Sequence, residues 1–223
     1  MELLKRIAAE LPPSAQHALR GAVCRARIRL GRFRSTEPEW ALLPTLVGSG
    51  DWAVDIGANV GHYAARLSEL VGPGGRVLAF EPVAETFAIL AENARLFAHP
   101  NVSLLNVAAS NAPGVGAMEI PRWDTGLPNW YRARIRDGPS GRQVLLLPLD
   151  ALALPHRVSL VKVDVEGHDL PALRGMTRIL ERDRPILIVE NGSPEVVSFL
   201  EPFGYRIERL PGSPNALFRH AAR

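Results

Sequence analysis

The sequence predicts an α/β fold in which helices cover a mostly parallel β-sheet. Three observations support this prediction. Strand-like and helix-like segments alternate from residue 51 onward, a glycine-rich turn follows the first strand-like segment, and the 223 residues are 47% hydrophobic. A chain of this length and apolar content can bury the core of one domain. Regular alternation of strands with helices places the strands parallel to one another in a single sheet.

Residues 1–49 precede the alternation and are predicted to form a helical extension. Residues 1–22 have apolar positions at helical spacing, interrupted by Pro12-Pro13, and residues 38–49 have the pattern of a short helix with proline at its start. The extension also contains an arginine-rich run, made up of Arg20, Arg25, Arg27, Arg29, Arg32 and Arg34. This run is interpreted either as solvated surface or as a surface for an anionic partner, such as a phosphorylated substrate, RNA or a membrane surface.

Residues 50–223 are predicted to form the main domain, because hydrophobic periodicity there is regular. The predicted strands are 52–56, 76–81, 101–109, 158–165 and 184–190, followed by a closing hairpin of YRIERL and NALFRH. The predicted helices are 61–71, 83–97, 169–181 and a last one from Pro194 to about Leu200. Residues 110–150 break the rhythm with two strands around a polar, aromatic segment, which predicts an inserted lid or binding loop.

The turn after the first strand, Gly57-Ala58-Asn59-Val60-Gly61, narrows the choice of ligand. A dinucleotide fingerprint would need glycine at the positions of Asn59 and His62, and a P-loop would need Gly-Lys-Ser/Thr, which does not follow. S-adenosylmethionine remains as the candidate ligand, because its methionine and ribose portions need a close approach of the backbone and no phosphate-binding loop. An ordinary strand-to-helix turn is the alternative.

Two acidic residues at strand ends complete this interpretation. Asp55 precedes the turn and suits the ammonium end of the cofactor or an ordered water, and the first N–H groups of the next helix suit its carboxylate. Glu81 ends the second strand, where an acid binds the two ribose hydroxyls. A helix N-terminal acid is the alternative role of Glu81.

The stretches DIGANVGHYA, FEPVAETFAIL, NVAASN and LVKVDVEGHDLPALRG resemble the FkbM family of S-adenosylmethionine-dependent methyltransferases. The resemblance implies a Rossmann-like class I methyltransferase fold, with a seven-stranded, mostly parallel sheet, an antiparallel last strand and helices on both faces. The cofactor-binding residues expected from these motifs are Asp55, Gly57, Asn59, Gly61, Glu81, Pro82, Ala108 and Asp164. One departure is Asp169, which stands where the family pattern often has glutamate.

The reaction centre is predicted where the later parallel strands end, at Asp164, Glu166 and His168. An alcohol acceptor must lose a proton, which requires a general base or a metal ion. Histidine is the side chain whose ordinary pKa lies closest to neutrality, so His168 is the candidate base. Asp164, Glu190 and Asn191 form the alternative, a Mg²⁺ site that resembles the one in catechol-type O-methyltransferases.

The insertion supplies candidates for the acceptor pocket, namely Trp123, Asp124, Asn129, Trp130 and Tyr131, which could equally pack a lid. Arg132, Arg134 and Arg136 could contact an anionic substrate or could alternate on an exposed strand. Lys162 lies within a strand of buried character and is interpreted as structural first.

These observations predict an S-adenosylmethionine-dependent O-methyltransferase that acts on a sugar, glycan or secondary metabolite. The alternatives are methylation of RNA or protein, or a non-catalytic cofactor-binding module. Nucleic acid is disfavoured because no Asn/Asp-Pro-Pro-Tyr/Phe motif follows the fourth strand, and a homo-oligomer is left open. Cys24 is the only cysteine, the N-terminus lacks the apolar core of a signal peptide, and no run of about 18 apolar residues is present. A cytoplasmic protein without a membrane span is therefore expected.

Overall fold

Two β-sheets and the helices around them make up the part of the chain that the computed structural model describes, residues 9–136 and 141–221. Residues 1–8 of the predicted extension, 137–140 of the predicted insertion and 222–223 of the main domain lie outside the described residues. The division of the chain into an extension, residues 1–49, and a main domain, residues 50–223, stays a prediction.

The main sheet has seven strands and confirms the predicted class. Its strands are β1 (Trp52–Ile56), β2 (Arg76–Phe80), β3 (Val102–Leu105), β8 (Val158–Val163), β9 (Ile186–Glu190), β10 (Tyr205–Arg209) and β11 (Asn215–His220). Their order in the sheet is β10-β11-β9-β8-β1-β2-β3. Strands β3, β2, β1, β8 and β9 pair in parallel, and β11 is antiparallel to both of its neighbours. The last strand in the sequence is therefore the antiparallel one, as predicted.

Helices cover both faces of this sheet. They are α1 (Pro13–Arg29), α2 (Leu43–Leu46), α3 (His62–Val71), α4 (Ala84–Ala94), α5 (Asp169–Arg174), α6 (Thr177–Arg182) and α7 (Pro194–Leu200). Alternate strand residues point to opposite faces, so Ala53 packs with α2 and α3 while Val54 packs with α5, α6 and α7. None of the helices in the described ranges is long and apolar enough to span a bilayer.

The predicted strand 101–109 is divided between the two sheets. Residues Val102–Leu105 pair with β2 of the main sheet. Strand β4 (Ala108–Ala109) instead pairs with β7 (Arg142–Leu147), which belongs to a second sheet. The Asn106 amide lies between them and donates to the carbonyl oxygens of Glu81 and Pro82, at 2.8 and 3.1 Å. This bond fixes the point at which the chain leaves the main sheet.

The predicted insertion forms a second sheet, in which both of its predicted strands are present. Its order is β4-β7-β5-β6, with β5 (Gly114–Glu119), β6 (Arg134–Arg136) and β7 (Arg142–Leu147), and a short 3₁₀ helix, Trp130–Arg132, precedes β6. Ala108, Met118 and Val144 bury their side chains against Val83 of the main domain. The second sheet is thereby attached beside the end of β2.

Two other elements differ from their predicted bounds. The first described helix begins at Pro13, where proline at the first position needs no N–H partner, and it continues through the arginines to Arg29. The predicted helix 169–181 is two helices, divided at Gly175. A Cβ atom there would lie 2.0 Å from the Ser110 carbonyl oxygen, so only glycine permits this close approach.

Candidate active site

A cavity of about 430 Å³ lies beyond the C-terminal ends of β1, β2, β8 and β9. Open parallel sheets bind their ligands at this edge. The predicted site residues that line it are Asp55, Gly57, Asn59, Glu81, Pro82, Ala108, Asp164, Glu166, His168 and Glu190, together with Trp130 and Tyr131 of the predicted acceptor pocket. Of the other predicted site residues, all of them described, Gly61, Trp123, Asp124, Asn129, Asn191 and the three arginines 132, 134 and 136 are not among the lining residues.

The glycine-rich turn folds back under the sheet edge. Gly57 has a φ of +82°, and a Cβ atom on it would lie 1.9 Å from the Asp164 carbonyl oxygen, so the turn can pass under β8 only as glycine. Gly61 has a φ of +99° and packs against the Leu90 side chain of α4. Gly57 therefore lines the cavity, whereas Gly61 shapes the turn from behind.

Asp55 contributes a buried carboxylate to the cavity wall. Its side chain is 1% exposed, and neither carboxylate oxygen has a hydrogen-bond partner among the described residues. Burial raises the pKa of Asp55 to about 6, although the charge of neighbouring Lys162 opposes the shift. A buried carboxylate that faces a cavity without a donor can accept hydrogen bonds from an ammonium group.

Glu81 joins the turn to the start of α4. Its Oε2 accepts from the Asn59 N–H at 2.9 Å and its Oε1 accepts from the Val83 N–H at 2.8 Å. Burial raises the pKa of this carboxyl to about 7, against the effect of both hydrogen bonds. Each carboxylate oxygen can accept a further bond, so the group can receive the two hydroxyls of a ribose.

Three further carboxylates that line the cavity lie close to one another. One oxygen from each of Asp164, Glu166 and Glu190 lies within 4.8 Å of the others. The Oε2 atom of Glu190 has no hydrogen-bond partner among the described residues. Burial, followed by the charges of Asp164 and Glu166, raises the pKa of Glu190 to about 7.

The predicted metal ligands are only partly brought together. Asp164 and Glu190 belong to the carboxylate cluster together with Glu166, whereas Asn191 is exposed and does not line the cavity. Asn191 has a φ of +58°, and its N–H donates to the Pro214 carbonyl oxygen as the chain leaves β9. Three carboxylate oxygens at this spacing are still the hard ligands that suit Mg²⁺.

Lys162 is a cavity residue that the sequence did not identify as functional. It is 2% exposed, and its Nζ donates to Asp164 Oδ2 at 2.6 Å and lies 4.5 Å above the Tyr63 ring. Burial opposes the ammonium charge, but Asp164 and Asp55 outweigh it and raise the pKa of Lys162. Lys162 and Asp55 are paired positions on β8 and β1, a juxtaposition that depends on strand register and not on a motif.

The extension closes the cavity through residues that sequence reasoning also missed. The Tyr63 hydroxyl lies 2.5 Å from Glu37 Oε2 and 3.0 Å from Glu39 Oε1. Glu39 is fully buried and also accepts from the Ser213 hydroxyl and the Asn215 amide. Burial acts against ionisation of Glu39, but these hydrogen bonds lower its pKa overall.

Arg20 shows that the arginine-rich run is not all solvated surface. Its guanidinium donates to Asn59 Oδ1 at 2.7 Å and to Thr86 Oγ1 at 3.1 Å, and it lies 5.7 Å from the centre of the Trp130 ring. Arg27 and Arg34 line the cavity itself. The interpretation as solvated surface is therefore wrong for Arg20, which connects α1 to the turn and to the second sheet.

His168 lies where the predicted base should be. It lines the cavity immediately before α5, and its Nε2 is 3.1 Å from the Ser110 hydroxyl oxygen. This contact holds the imidazole beside the carboxylate cluster. The same cavity is thus lined by two carboxylates suited to an ammonium group and a ribose, and by a histidine and three further carboxylates.

Comparisons with known proteins identify the family and the fold of the chain. The family model described as Methyltransferase FkbM domain matches residues 55–207. The chain is similar in structure to methyltransferase FkbM from Methylobacillus flagellatus KT, with 18% identity and a TM-score of 0.54, covering 78% of this chain and 44% of that one. It therefore spans less than half of the length of that relative.

Two further structures share the fold. A SAM dependent methyltransferase from Aquifex aeolicus has 15% identity and a TM-score of 0.50, with 87% of this chain and 97% of that one covered. Fibrillarin from Aeropyrum pernix, solved with natively bound S-adenosyl-L-methionine, has 17% identity and a TM-score of 0.50, with 80% and 71% covered. At these identities the likeness shows the fold alone. No curated protein matches the chain.

Proposed function

Because the chain belongs to the FkbM methyltransferase family, we propose that it transfers the methyl group of S-adenosylmethionine to a hydroxyl oxygen of a sugar, glycan or secondary metabolite. The observation that supports this most directly is that one cavity is lined by the buried Asp55 carboxylate and Glu81 and also by His168 and the carboxylate cluster. Donor and acceptor can therefore meet inside one enclosure.

The donor end would be held by the residues of β1, β2 and the turn between them. Asp55 would accept from the ammonium group, Glu81 would accept from the ribose hydroxyls, and the first N–H groups of α3 would face the carboxylate. Pro82 and Ala108 line the cavity beyond Glu81, beside the apolar cluster of the second sheet. They would pack against the adenine.

The acceptor end would remove the proton that the reaction releases. The C–S bond of the sulfonium breaks as the new C–O bond forms in line with it, so alignment and exclusion of water are the main requirements. The acceptor O–H proton would pass to His168, whose ring is held by Ser110. Asp164 and Glu166 would position the acceptor and stabilise the imidazolium that results.

A divalent cation is the second route to the same proton loss. Asp164, Glu166 and Glu190 would hold it, with Asn191 from the sequence prediction as an outer partner. When bound, such an ion lowers the pKa of a coordinated hydroxyl. The ion pair between Lys162 and Asp164 already supplies one positive charge to this cluster, which favours the route through His168.

Calorimetric titration with S-adenosylhomocysteine tests the donor site. We expect binding by the unaltered protein and at least about tenfold weaker binding by Glu81→Ala, because two charge-assisted hydrogen bonds are lost. Glu208→Ala is the matched control, since Glu208 is an exposed acid on β10. The assignment would be wrong if the unaltered protein did not bind, or if Glu81→Ala bound equally well.

Transfer of labelled methyl to a panel of hydroxyl compounds tests the acceptor end. His168→Asn should lower turnover about a hundredfold or more and leave the affinity for S-adenosylhomocysteine unchanged. His156→Asn, at an exposed position, should have no effect on either. Turnover that survives His168→Asn but is abolished by EDTA would reject His168 as the base and support the metal route.

A further inference from the structure

The outer face of α1 carries an exposed apolar ridge. Leu19, Val23 and Leu30 are 47%, 43% and 67% exposed. Leu19 and Val23 lie one turn apart on the helix, and Leu30, the residue that follows its last turn, continues the same line. The opposite face is buried, where Cys24 packs with Val60 of the turn and Ile89 of α4. The helix is therefore apolar on two sides, and only one of them has a partner among the described residues.

Positive charges flank the ridge, and acidic residues are missing from this part of the sequence. Residues 11–35 contain six arginines and neither aspartate nor glutamate. Helical geometry places the exposed Arg27 and Arg29 on opposite sides of the ridge. Arg25 differs, because its guanidinium forms an ion pair with Glu92 of α4. Two exposed arginines thus flank the ridge.

We propose that α1 binds the surface of an anionic lipid bilayer, with the ridge of Leu19, Val23 and Leu30 inserted at the boundary between headgroups and acyl chains. A helix with an apolar face and flanking arginines lies in the plane of such an interface. Anionic headgroups attract the arginines and the apolar side chains leave water, so the two contributions act together. The inference does not depend on the proposed methyl transfer.

The same features disfavour two other occupants. A polyanion such as RNA would engage the arginines but would leave the leucine ridge in water. A second copy of the chain would bring another helix with no acidic residue against this one, so that like charges would face each other. An anionic bilayer complements both the charge and the apolar ridge.

An exposed aromatic residue lies beside α1. Tyr131 is 57% exposed and interacts with Arg20 on the side of α1 that faces the cavity. Tyrosine is enriched at membrane interfaces because its ring is apolar and its hydroxyl is polar. Since Arg27 and Tyr131 both line the cavity, a docked helix would bring that wall of the cavity close to the headgroups.

Co-sedimentation of the full chain with vesicles tests the proposal. We expect the protein to sediment with vesicles of equimolar phosphatidylcholine and phosphatidylglycerol, to bind pure phosphatidylcholine vesicles more weakly, and to dissociate as salt is added. Arg29→Gln should weaken partitioning about fivefold. The double variant Leu19→Ser/Leu30→Ser should weaken it at least about tenfold, because both side chains leave the acyl boundary.

Matched controls separate this face from the rest of the surface. Leu145→Ser and Arg206→Gln change an exposed leucine on β7 and an exposed arginine on β10, and neither should alter partitioning. Binding of S-adenosylhomocysteine by every variant shows that it is folded and reports on the donor site independently. Loss of vesicle binding with donor binding retained therefore concerns α1 alone.

Three outcomes would overturn the proposal. The first is failure of the unaltered protein to sediment with the anionic vesicles while it still binds S-adenosylhomocysteine. Partitioning could respond to salt but not to Leu19→Ser/Leu30→Ser, which would indicate a polyanion surface such as an RNA site. Sedimentation velocity could instead show a dimer that the double variant dissociates, without vesicle binding, which would assign the ridge to a second copy.

Discussion

The carboxyl groups that line the cavity differ in how their charge is compensated. Asp164 has the Lys162 ammonium at 2.6 Å, Glu81 accepts two backbone N–H groups, and Asp55 has no hydrogen-bond partner among the described residues. Burial outweighs the compensation at Glu81 and Asp55, whose pKa values are raised to about 7 and about 6. The donor site therefore titrates within the neutral range.

This titration predicts that affinity for S-adenosylhomocysteine increases with pH. The ribose hydroxyls donate to an ionised carboxylate, so Kd should fall as Glu81 ionises around pH 7. Below the pKa, affinity should rise by up to about tenfold per pH unit. Calorimetry between pH 5.5 and 8.5, at about constant ionic strength, measures this profile.

Glu81→Gln is the control for that profile. The variant should bind S-adenosylhomocysteine more weakly. Any remaining change of its Kd with pH should occur around pH 6, the pKa of Asp55. The same shift affects stability with the opposite sign. Because the folded chain holds the Glu81 proton more tightly than the unfolded chain, the free energy of unfolding without ligand should fall as pH rises from 4.5 to about 7. A flat binding profile in the unaltered protein would contradict the role of Glu81.

Lys162 is predicted to stabilise the fold as well as the site. Lys162→Met removes the cation beside Asp164 and leaves that carboxylate, and buried Asp55, without a counter-charge. A broken buried pair costs several kcal/mol, and since Asp164 is 32% exposed we expect a loss of about 2 kcal/mol in the free energy of unfolding. Urea denaturation measures it.

The surface pair of Arg178 and Asp150 provides the comparison. The Arg178 side chain is 74% exposed, so Arg178→Met should change the free energy of unfolding by less than about 0.5 kcal/mol. If the two substitutions changed the free energy of unfolding equally, Lys162 would contribute no more to stability than an exposed surface charge.

At the scale of elements, the sequence predicted what local patterns determine. The strand Trp52–Ile56 and the helix Pro194–Leu200 have the predicted bounds, because each is delimited by glycine, proline or a strong apolar run. The strand 101–109 was one apolar run in the sequence, and its division depends on Asn106 meeting carbonyl oxygens of Glu81 and Pro82. No local pattern carries that contact.

Helix α1 is another element whose contacts no local sequence pattern predicts. Arg20 connects α1 to the turn through Asn59 and to the second sheet through Trp130. Arg20→Met should therefore loosen the turn. The Kd for S-adenosylhomocysteine should rise about tenfold, because the substitution removes one charge-assisted hydrogen bond that holds the turn. Calorimetry gives the Kd, and deuterium exchange of residues 57–61 reports the loosening.

Arg25→Met is the matched control on the same helix. Arg25 pairs with the exposed Glu92 of α4 and does not line the cavity. Its substitution should leave the Kd and the exchange of the turn unchanged. If both arginine variants had the same effect, Arg20 would act only through the packing of α1.

At the scale of the whole molecule, the cavity is assembled from three parts that are distant in sequence. The main sheet provides Asp55 and the carboxylate cluster, the second sheet provides Met118, and the extension provides Glu37. Sequence motifs identified the residues at strand ends, since a motif and its strand are contiguous. They missed Lys162 and Glu37, whose positions depend on strand register and on how the extension folds back.

The three-part assembly predicts that a donor-site ligand stabilises all three parts together. At about a hundredfold excess over Kd, S-adenosylhomocysteine should add about 2.7 kcal/mol to the free energy of unfolding, and raise Tm by about 5 to 10 °C. Deuterium exchange should slow together in the turn 57–61, in Trp130–Arg132 and in α1, because Arg20 contacts the first two and belongs to the third. Helix α6 contributes no residue to the cavity and should exchange as before. Protection confined to the turn would mean that the extension and the second sheet enclose the ligand without being coupled to it.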